Sequence, residues 1–110
     1  MTCERWDVVA LPFPFSDRPG AKRRPALVVS NRRFNRAGHS AFCMITTKAV
    51  PPWPADRRIS DLASAGLPVP CIVRLKLFTL DNRLIEKRLG RLGRDDSAAV
   101  RDNLESVLGG

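Results

Sequence analysis

Hydrophobic residues occur in short runs along this chain, and charged or turn-forming segments separate the runs. Runs rich in valine, isoleucine, leucine and phenylalanine predict short β-strands. The pattern predicts five or six strands, at residues 6–15, 25–30, 40–47, 57–60, 70–80 and 83–92. In the last run, apolar and basic residues alternate, which is typical of a half-exposed strand. In the first run, prolines near the end indicate a sheet edge or the mouth of a loop.

The connections and the C-terminal tail show a different pattern. Residues 31–39 form a polar connection with room for one helical turn, and residues 61–66 predict a single turn that ends at Gly66. The tail predicts an amphipathic helix with Asp95 and Asp96 in its first turn, where the helix dipole favours anions. Its apolar stripe consists of Val100, Leu104, Val107 and Leu108, and Gly109 is a suitable end. Short strands followed by one helix favour a mainly β fold of the small-barrel type.

Composition and charge narrow the class of protein. The chain has 110 residues, 44% of them hydrophobic, so we expect one globular domain over residues 1–110. Its net charge of +8 predicts a polyanionic partner, such as nucleic acid or an acidic protein. No apolar run approaches the ~20 residues that a membrane span needs. Three cysteines without a C-x-x-C pair argue against a disulfide framework or a zinc site, and with no secretory signal we expect a cytoplasmic protein.

The densest positive charge lies directly before a proline and an apolar strand, at Lys22, Arg23 and Arg24. Pro25 restricts Arg24 to extended backbone, which positions the arginine at the mouth of the predicted strand. A planar guanidinium held in this way suits a phosphate group. The alternative interpretation is that these cations only solvate a surface loop.

Two threonines, Thr46 and Thr47, end the next apolar strand. Their hydroxyls have the chemistry to hydrogen-bond a phosphate oxygen, although threonine is also a common strand residue. Arg74 lies inside a later apolar strand. Either its stem packs on the barrel surface with the charged head in water, or it points into a binding groove.

The sequence excludes several kinds of catalysis. His39 is the only histidine, which excludes a two-histidine acid–base mechanism. No cluster of residues has metal-ligand spacing, and no phosphate-binding glycine loop is present, so we expect no metal and no cofactor. Among the aromatic residues, we expect Trp6 in the core. Phe15, Phe34 and Trp53 lie in or beside polar loops, where a ring can stack on a base.

Four segments, taken in order, resemble the PemK/MazF family of toxins of type II toxin–antitoxin systems. They read WDVVALPFPFSDRPGAKRRPALVVSN, MITTK, AGLPVPCIVRLKLFTLD and RLGRLGRDDSAAVRDNLESVLG. The likeness covers nearly the whole chain, and KRRPALVVSN is its most specific part. It implies an SH3-like β-barrel of the CcdB/MazF/PemK type with a C-terminal helix. It also implies an mRNA interferase, a metal-independent and sequence-specific endoribonuclease that forms homodimers and is inhibited by an acidic antitoxin.

The resemblance implies roles for particular residues. Arg24 matches the family arginine before proline, and Thr46 matches the threonine that ends the apolar strand with the residues Ile-Thr, so both are expected to be catalytic. The implied reaction is attack by a ribose 2′-hydroxyl on the adjacent phosphate, which leaves a 2′,3′-cyclic phosphate. Around these two, the residues expected to bind single-stranded RNA are Lys22, Arg23, Thr47, Lys48 and Arg74.

Two positions depart from the family pattern. Relatives commonly have glycine where this chain has Trp6. Relatives often have an aspartate shortly after the arginine that matches Arg74, and in some of them it is the proposed general base. Here the segment RLKLFTLD is one residue shorter and lacks that aspartate. Asp17 and Asp81 are the acidic residues that remain nearby in sequence.

Two other functions are compatible with the sequence. In the CcdB branch, the same barrel poisons DNA gyrase by protein contact and cleaves no RNA, and that activity does not need the cations of the KRRP segment. A plain RNA-binding barrel of the ribosomal type would also carry a large positive charge, since phosphate contacts dominate affinity for nucleic acids.

Overall fold

The computed structural model describes residues 1–13 and 22–109. Its strands are β1 (Asp7–Phe13), β2 (Lys22–Val28), β3 (His39–Thr46), β4 (Arg57–Arg58), β5 (Ile72–Asp81) and β6 (Lys87–Arg91). Its helices are α1 (Arg32–Asn35), α2 (Leu62–Ala65) and α3 (Arg94–Leu108), and a 3₁₀ turn covers Asn82–Leu84. The described strands form one curled antiparallel sheet in the order β4-β5-β3-β2-β1-β6, which confirms a mainly β fold with a C-terminal helix.

Both faces of the central strands are buried. Successive residues of a strand point to opposite faces. One face packs with α3 and α2 in a core that includes Val8, Leu27, Cys43, Ile45, Ala65, Val73, Val100 and Leu104. The opposite face forms a second core from Cys3, Val9, Leu11, Ala26, Val28, Phe42 and Ile85. Burial on both sides explains why the apolar runs are continuous, because such strands have no solvent-facing positions for polar residues.

Strand β2 begins earlier than the hydrophobic pattern predicts. Lys22 pairs with Phe13, and Arg23 pairs with Pro12, so these cations lie in a strand and not in the predicted loop. The error arises because the exposed basic residues at the start of β2 lack the apolar signal of a core strand. The segment 14–21, with Phe15 and Asp17, lies outside the described residues.

The fifth strand contains a β-bulge. Cys43 pairs with Leu77 and the next residue of β3, Met44, pairs with Arg74, so Leu75 and Lys76 have no partner on β3. A bulge changes the direction of side chains that would otherwise alternate regularly. The shortened RLKLFTLD segment therefore departs from the family pattern at an irregular point of the sheet.

The predicted helices are confirmed, with one difference in the apolar stripe of α3. The turn α2 ends at Gly66 in the left-handed conformation, with φ of +71°. In α3, Val100 and Leu104 are buried, whereas Val107 and Leu108 are 52% and 65% exposed. The helix thus extends beyond the core that buries its first half. No helix in the described part of the chain is long and apolar enough to cross a bilayer.

Trp6 occupies a backbone position that suits glycine. Its φ of +76° lies in the left-handed region, where a side chain costs energy that glycine avoids. Its N–H donates to the Val28 carbonyl at 2.7 Å, and its carbonyl accepts from Leu92 at 2.9 Å. The ring packs against the first core as predicted, with the Arg5 guanidinium 4.4 Å from the ring centroid. These contacts offset the unfavourable φ.

Asp96 connects α3 to the segment around β4. It is 1% exposed and accepts hydrogen bonds from the Ser60 N–H and hydroxyl, the Asp61 N–H and the Arg57 guanidinium at 2.7–3.1 Å. Burial raises the pKa of its carboxyl, but the hydrogen bonds lower it by more, so the pKa lies below its ordinary value. Asp95, beside it in the first turn, is exposed.

We expect Asp96→Ala to lower the free energy of unfolding by about 3 kcal/mol, because it leaves buried donors without an acceptor. Asp95→Ala, the matched control, is expected to cost less than about 1 kcal/mol. Urea unfolding followed by circular dichroism measures both. Because the pKa of Asp96 is lower in the folded protein than in the unfolded chain, the stabilisation by its ionised carboxylate is present above about pH 4. This stabilisation is lost as the pH falls through the pKa of Asp96 in the folded protein. Equal losses of stability in the two variants would contradict the role of Asp96 in holding α3 to the segment around β4.

Candidate functional site

The pairing between β2 and β3 ends at one proline. The paired residues are Val28–Phe42, Leu27–Cys43 and Ala26–Met44. Beyond β2, the Val29 N–H donates to Ala41 on β3 at 2.9 Å, and every second residue of a strand presents its N–H to the same neighbour. A backbone N–H at position 25 would therefore point towards β3.

Pro25 occupies this position and has no N–H to donate. The β2–β3 ladder consequently loses its next hydrogen bond, and Ala26–Met44 is its last pair. The antiparallel register, continued by two residues, sets Arg24 opposite Thr46. Arg24 and Thr46, which are both expected to be catalytic, therefore lie on opposite strands just beyond the last pair of the ladder. We call this unpaired stretch between the two strands the gap.

A cavity of about 330 Å³ lies at this gap, which is at the lower end of the size range of ligand pockets. Arg24, Thr46, Thr47 and Lys48 supply its polar lining. The other residues that line it are Leu11, Pro25, Ala26, Met44, Ile45, Cys71 and Phe78. An apolar floor beneath two cations and two hydroxyls has the chemistry to hold a phosphate ester with an attached base.

The hydroxyl of Thr46 is held by a local turn. Its Oγ1 accepts a hydrogen bond from the Lys48 N–H at 3.1 Å. A hydroxyl has one proton to donate in addition to its acceptor sites. With an oxygen lone pair committed to the backbone, the O–H of Thr46 remains available as a donor within the cavity.

Two predicted RNA-binding cations lie outside the cavity lining. Arg23 is exposed and forms an ion pair with Glu86, which lies just before β6. Lys22 is exposed at the start of β2. Both lie on the same strand as Arg24, farther from the point where the ladder ends, so the structure joins only the last of the three cations to the threonines.

Arg74 is buried, with 8% of the residue exposed. Its Nε and Nη2 donate to the Asp56 carboxylate at 3.1 and 2.8 Å, and Nη2 also donates to the Pro51 carbonyl at 3.2 Å. Of the two alternatives for Arg74, this burial excludes the one with the charged head in water, and Arg74 is not among the residues that line the cavity. Hydrogen bonding to Arg74 holds the pKa of Asp56 below its ordinary value and raises the pKa of Arg74. The Arg74–Asp56 pair therefore fixes the loop at residues 51–56.

None of the described cavity-lining residues is a carboxylate or a histidine. Asp81 pairs with His39 at the start of β3, while Thr46 lies at its end, so both are separated from the cavity by about 23 Å of strand. Cys71 lines the cavity, but burial raises the pKa of its thiol, which donates to the Val69 carbonyl at 3.2 Å. The described residues contain no cluster of groups that could hold a metal ion.

Sequence reasoning missed the apolar floor, above all Met44 and Phe78, and the pairing of Arg74 with Asp56. A usable signal for the floor was the two-residue period. Ala26 and Met44 each lie two positions from a predicted catalytic residue, and so on the same face. No comparable signal links Arg74 to Asp56, because they lie one position beyond the Arg57–Val73 pair of β4 and β5, and this short pairing joins segments that are far apart in the chain.

A comparison with protein families matches residues 4–108 to the PemK-like, MazF-like toxins of type II toxin–antitoxin systems. No curated protein matches the chain.

Among solved structures, a MazE–MazF complex of Deinococcus radiodurans aligns with a TM-score of 0.78 at 26% identity, covering 99% of this chain and 98% of that one. MazF of the same organism aligns at 0.75 and 29% identity, covering 100% and 99%. A mycobacterial endoribonuclease in complex with its cognate antitoxin aligns at 0.73 and 21% identity, covering 98% and 94%, and at this identity supports the fold alone.

The role of Pro25 is tested by Pro25→Ala. The substitution introduces a backbone N–H at position 25, and we expect this N–H to donate to the Ile45 carbonyl. The amide hydrogen should then exchange with solvent at least about tenfold more slowly than that of an exposed amide. Hydrogen exchange followed by NMR measures this, with the Leu27 amide of the same ladder as reference. A fast-exchanging amide at position 25 would show that the ladder ends for another reason.

Proposed function

The chain belongs to the PemK-like, MazF-like toxins of type II toxin–antitoxin systems, and we propose that it is the toxin component, a metal-independent, sequence-specific endoribonuclease that cleaves single-stranded RNA. The observation that carries this proposal is that Arg24 and Thr46 line one cavity across the gap left by Pro25. A guanidinium and a hydroxyl held over an apolar floor match the requirements of a phosphodiester beside a base.

The reaction places the nucleophile in the substrate. The ribose 2′-oxygen forms a bond to the adjacent phosphorus, the bond from phosphorus to the 5′-oxygen breaks, and the products are a 2′,3′-cyclic phosphate and a 5′-hydroxyl. The 2′-hydroxyl loses a proton and the departing 5′-oxygen gains one. Because the reacting groups are already adjacent, much of the proximity advantage is built in. The protein has to hold the strand and stabilise negative charge on the phosphoryl oxygens.

Arg24 supplies that stabilisation as an electrostatic clamp. A guanidinium does not give up its proton readily near neutral pH, so we assign Arg24 no primary role as a general acid. Thr46 donates its O–H to a non-bridging oxygen, since its oxygen already accepts from Lys48. Lys48 and Thr47 complete the rim and hold the phosphate through charge and hydrogen bonds.

The remaining predicted cations act at a distance from the reacting phosphate. Lys22 and Arg23 lie on the exposed first part of β2, where they attract the RNA strand outside the cavity. Arg74 acts through the loop that it holds with Asp56, whose carboxylate offsets the charge of the guanidinium. We assign the general base to none of the described cavity residues, in keeping with the missing aspartate.

The partners follow from the same charge distribution. We propose that the protein works as a cytoplasmic homodimer without a cofactor, and that an acidic antitoxin segment covers the cationic cavity and competes with mRNA. A strongly basic surface attracts an acidic peptide and a phosphate backbone alike.

The direct test is to incubate the purified protein with mixed-sequence RNA in excess EDTA and to sequence the new ends. We expect cuts at a discrete sequence, with a 2′,3′-cyclic phosphate on one product and a 5′-hydroxyl on the other. RNA that is bound but uncut would instead support the plain RNA-binding alternative. Gyrase inhibition without RNA binding would support the CcdB-like one.

Matched variants test the residue roles in the same assay. We expect Arg24→Ala to slow cleavage about a hundredfold or more and Thr46→Val to slow it about tenfold, while Thr46→Ser retains most of the rate. Arg33→Ala removes the same charge from α1 and is expected to change the rate less than about twofold. Wild-type cleavage by the Arg24 variant would remove Arg24 from the mechanism.

A further inference from the structure

The loop at residues 51–56 is held by Arg74, which lies on β5. Arg74 contacts both ends of it, through the Pro51 carbonyl at 3.2 Å and the Asp56 carboxylate at 2.8 and 3.1 Å. Within the loop, the Trp53 N–H donates to Asp56 at 3.0 Å and the Asp56 N–H donates back to the Trp53 carbonyl at 3.1 Å. The backbone of Trp53 is therefore fixed at both of its polar groups.

Helix α3 and the local sequence add to this rigidity. The Asn103 side chain donates to the Ala55 carbonyl at 3.1 Å. Prolines occupy positions 51, 52 and 54, and each proline fixes one backbone dihedral. A loop with this many restraints presents its exposed side chain in a defined position, without the entropy cost of ordering on binding.

The exposed side chain is Trp53. It is 42% exposed, and the Lys76 ammonium lies 4.5 Å from its ring centroid. Lys76 belongs to the bulge of β5 and so escapes the alternation of the strand. The ammonium lies over one face of the exposed indole. A ring of this kind suits a nucleotide, because a base can stack on the ring from the side away from Lys76 while the ammonium pairs with phosphate.

The pair lies next to the cavity. Arg74, which holds the loop, pairs across the sheet with Met44, which lines the cavity. Lys48, on the cavity rim, precedes Trp53 by five residues, so their Cα atoms are at most about 18 Å apart. A strand whose phosphate lies at Arg24 thus has Trp53 within the span of a few nucleotides.

We propose that Trp53 and Lys76 form a nucleotide-binding subsite, in which the indole stacks on a base outside the scissile pair and the ammonium holds the phosphate of that nucleotide. The proposal rests on the proposed function for the identity of the ligand as RNA. Trp53 is a substrate-binding residue here and takes no part in bond breaking. An acidic peptide also complements the charge of Lys76, but its carboxylates do not stack on the indole ring, whereas a nucleotide supplies both a base and a phosphate.

The test uses two uncleavable probes of equal charge, a mixed-sequence 2′-O-methyl RNA 12-mer and an abasic oligomer of the same length. We expect Trp53→Ala to weaken binding of the RNA 12-mer about tenfold and to leave binding of the abasic oligomer unchanged. Trp53→Phe should retain most of the affinity. Lys76→Ala should reduce the salt dependence of binding by about one phosphate contact. Val107→Ala, which removes apolar surface from a residue that is 52% exposed on α3, is the control and should bind like wild type.

Three results would overturn the subsite: unchanged binding by Trp53→Ala, equal weakening for both probes, or no binding of the 12-mer by wild type. A shift in oligomeric state on sedimentation of Trp53→Ala would show instead that the ring contacts a second copy of the chain. The subsite and the nuclease fail separately, because binding of these probes needs no cleavage. Base-dependent binding lost with Trp53, in a protein that cuts no RNA, would leave the subsite and remove the nuclease.

Discussion

Hydrogen bonding between β2 and β3 stops at Pro25, and the position of the candidate site depends on that stop. Paired strands lie only about 4.8 Å apart, which leaves no space for a ligand between their backbones. A cavity within a sheet needs two strands that continue side by side after their pairing has ended. Pro25 achieves this because it lacks the donor that faces β3. It also keeps Arg24 in extended backbone, so one residue both opens the cavity and positions the cation on its rim.

Several acidic side chains of the described chain are engaged within the fold. Asp96 holds the segment around β4, Asp56 pairs with Arg74, and Glu86 pairs with Arg23. The described cavity lining, by contrast, contains Arg24 and Lys48 and no carboxylate. In a chain with a net charge of +8, cations on the cavity lining attract a phosphate backbone.

The elements that could be predicted from sequence are those with a local cause. Continuous apolar runs indicate strands buried on both faces, and the stop at Gly66 follows from its freedom to adopt positive φ. The candidate pair of Arg24 and Thr46 came from the chemistry of their side chains and from the family resemblance, and the strand register supplies the physical reason that they meet. Proline in a central strand was visible in the sequence, but its effect depends on which neighbour position 25 faces.

The features that could not be predicted have non-local causes. Arg74 contacts Asp56, 18 positions earlier in the chain, because the two-residue strand β4 pairs with β5 directly beside them. The bulge of β5, which no residue pattern indicates, brings Lys76 to Trp53. The exposure of Val107 and Leu108 depends on where the core ends and not on the helical period, which is regular to the end of α3.

A crystal structure of the protein with a bound 2′-O-methyl RNA tests most directly whether the gap beside Pro25 is the phosphate site. We expect a phosphate oxygen about 3 Å from both the Arg24 guanidinium and the Thr46 hydroxyl, with the neighbouring base over the apolar floor. RNA bound along another surface, such as the basic face of α1, with the cavity filled only by solvent, would contradict it.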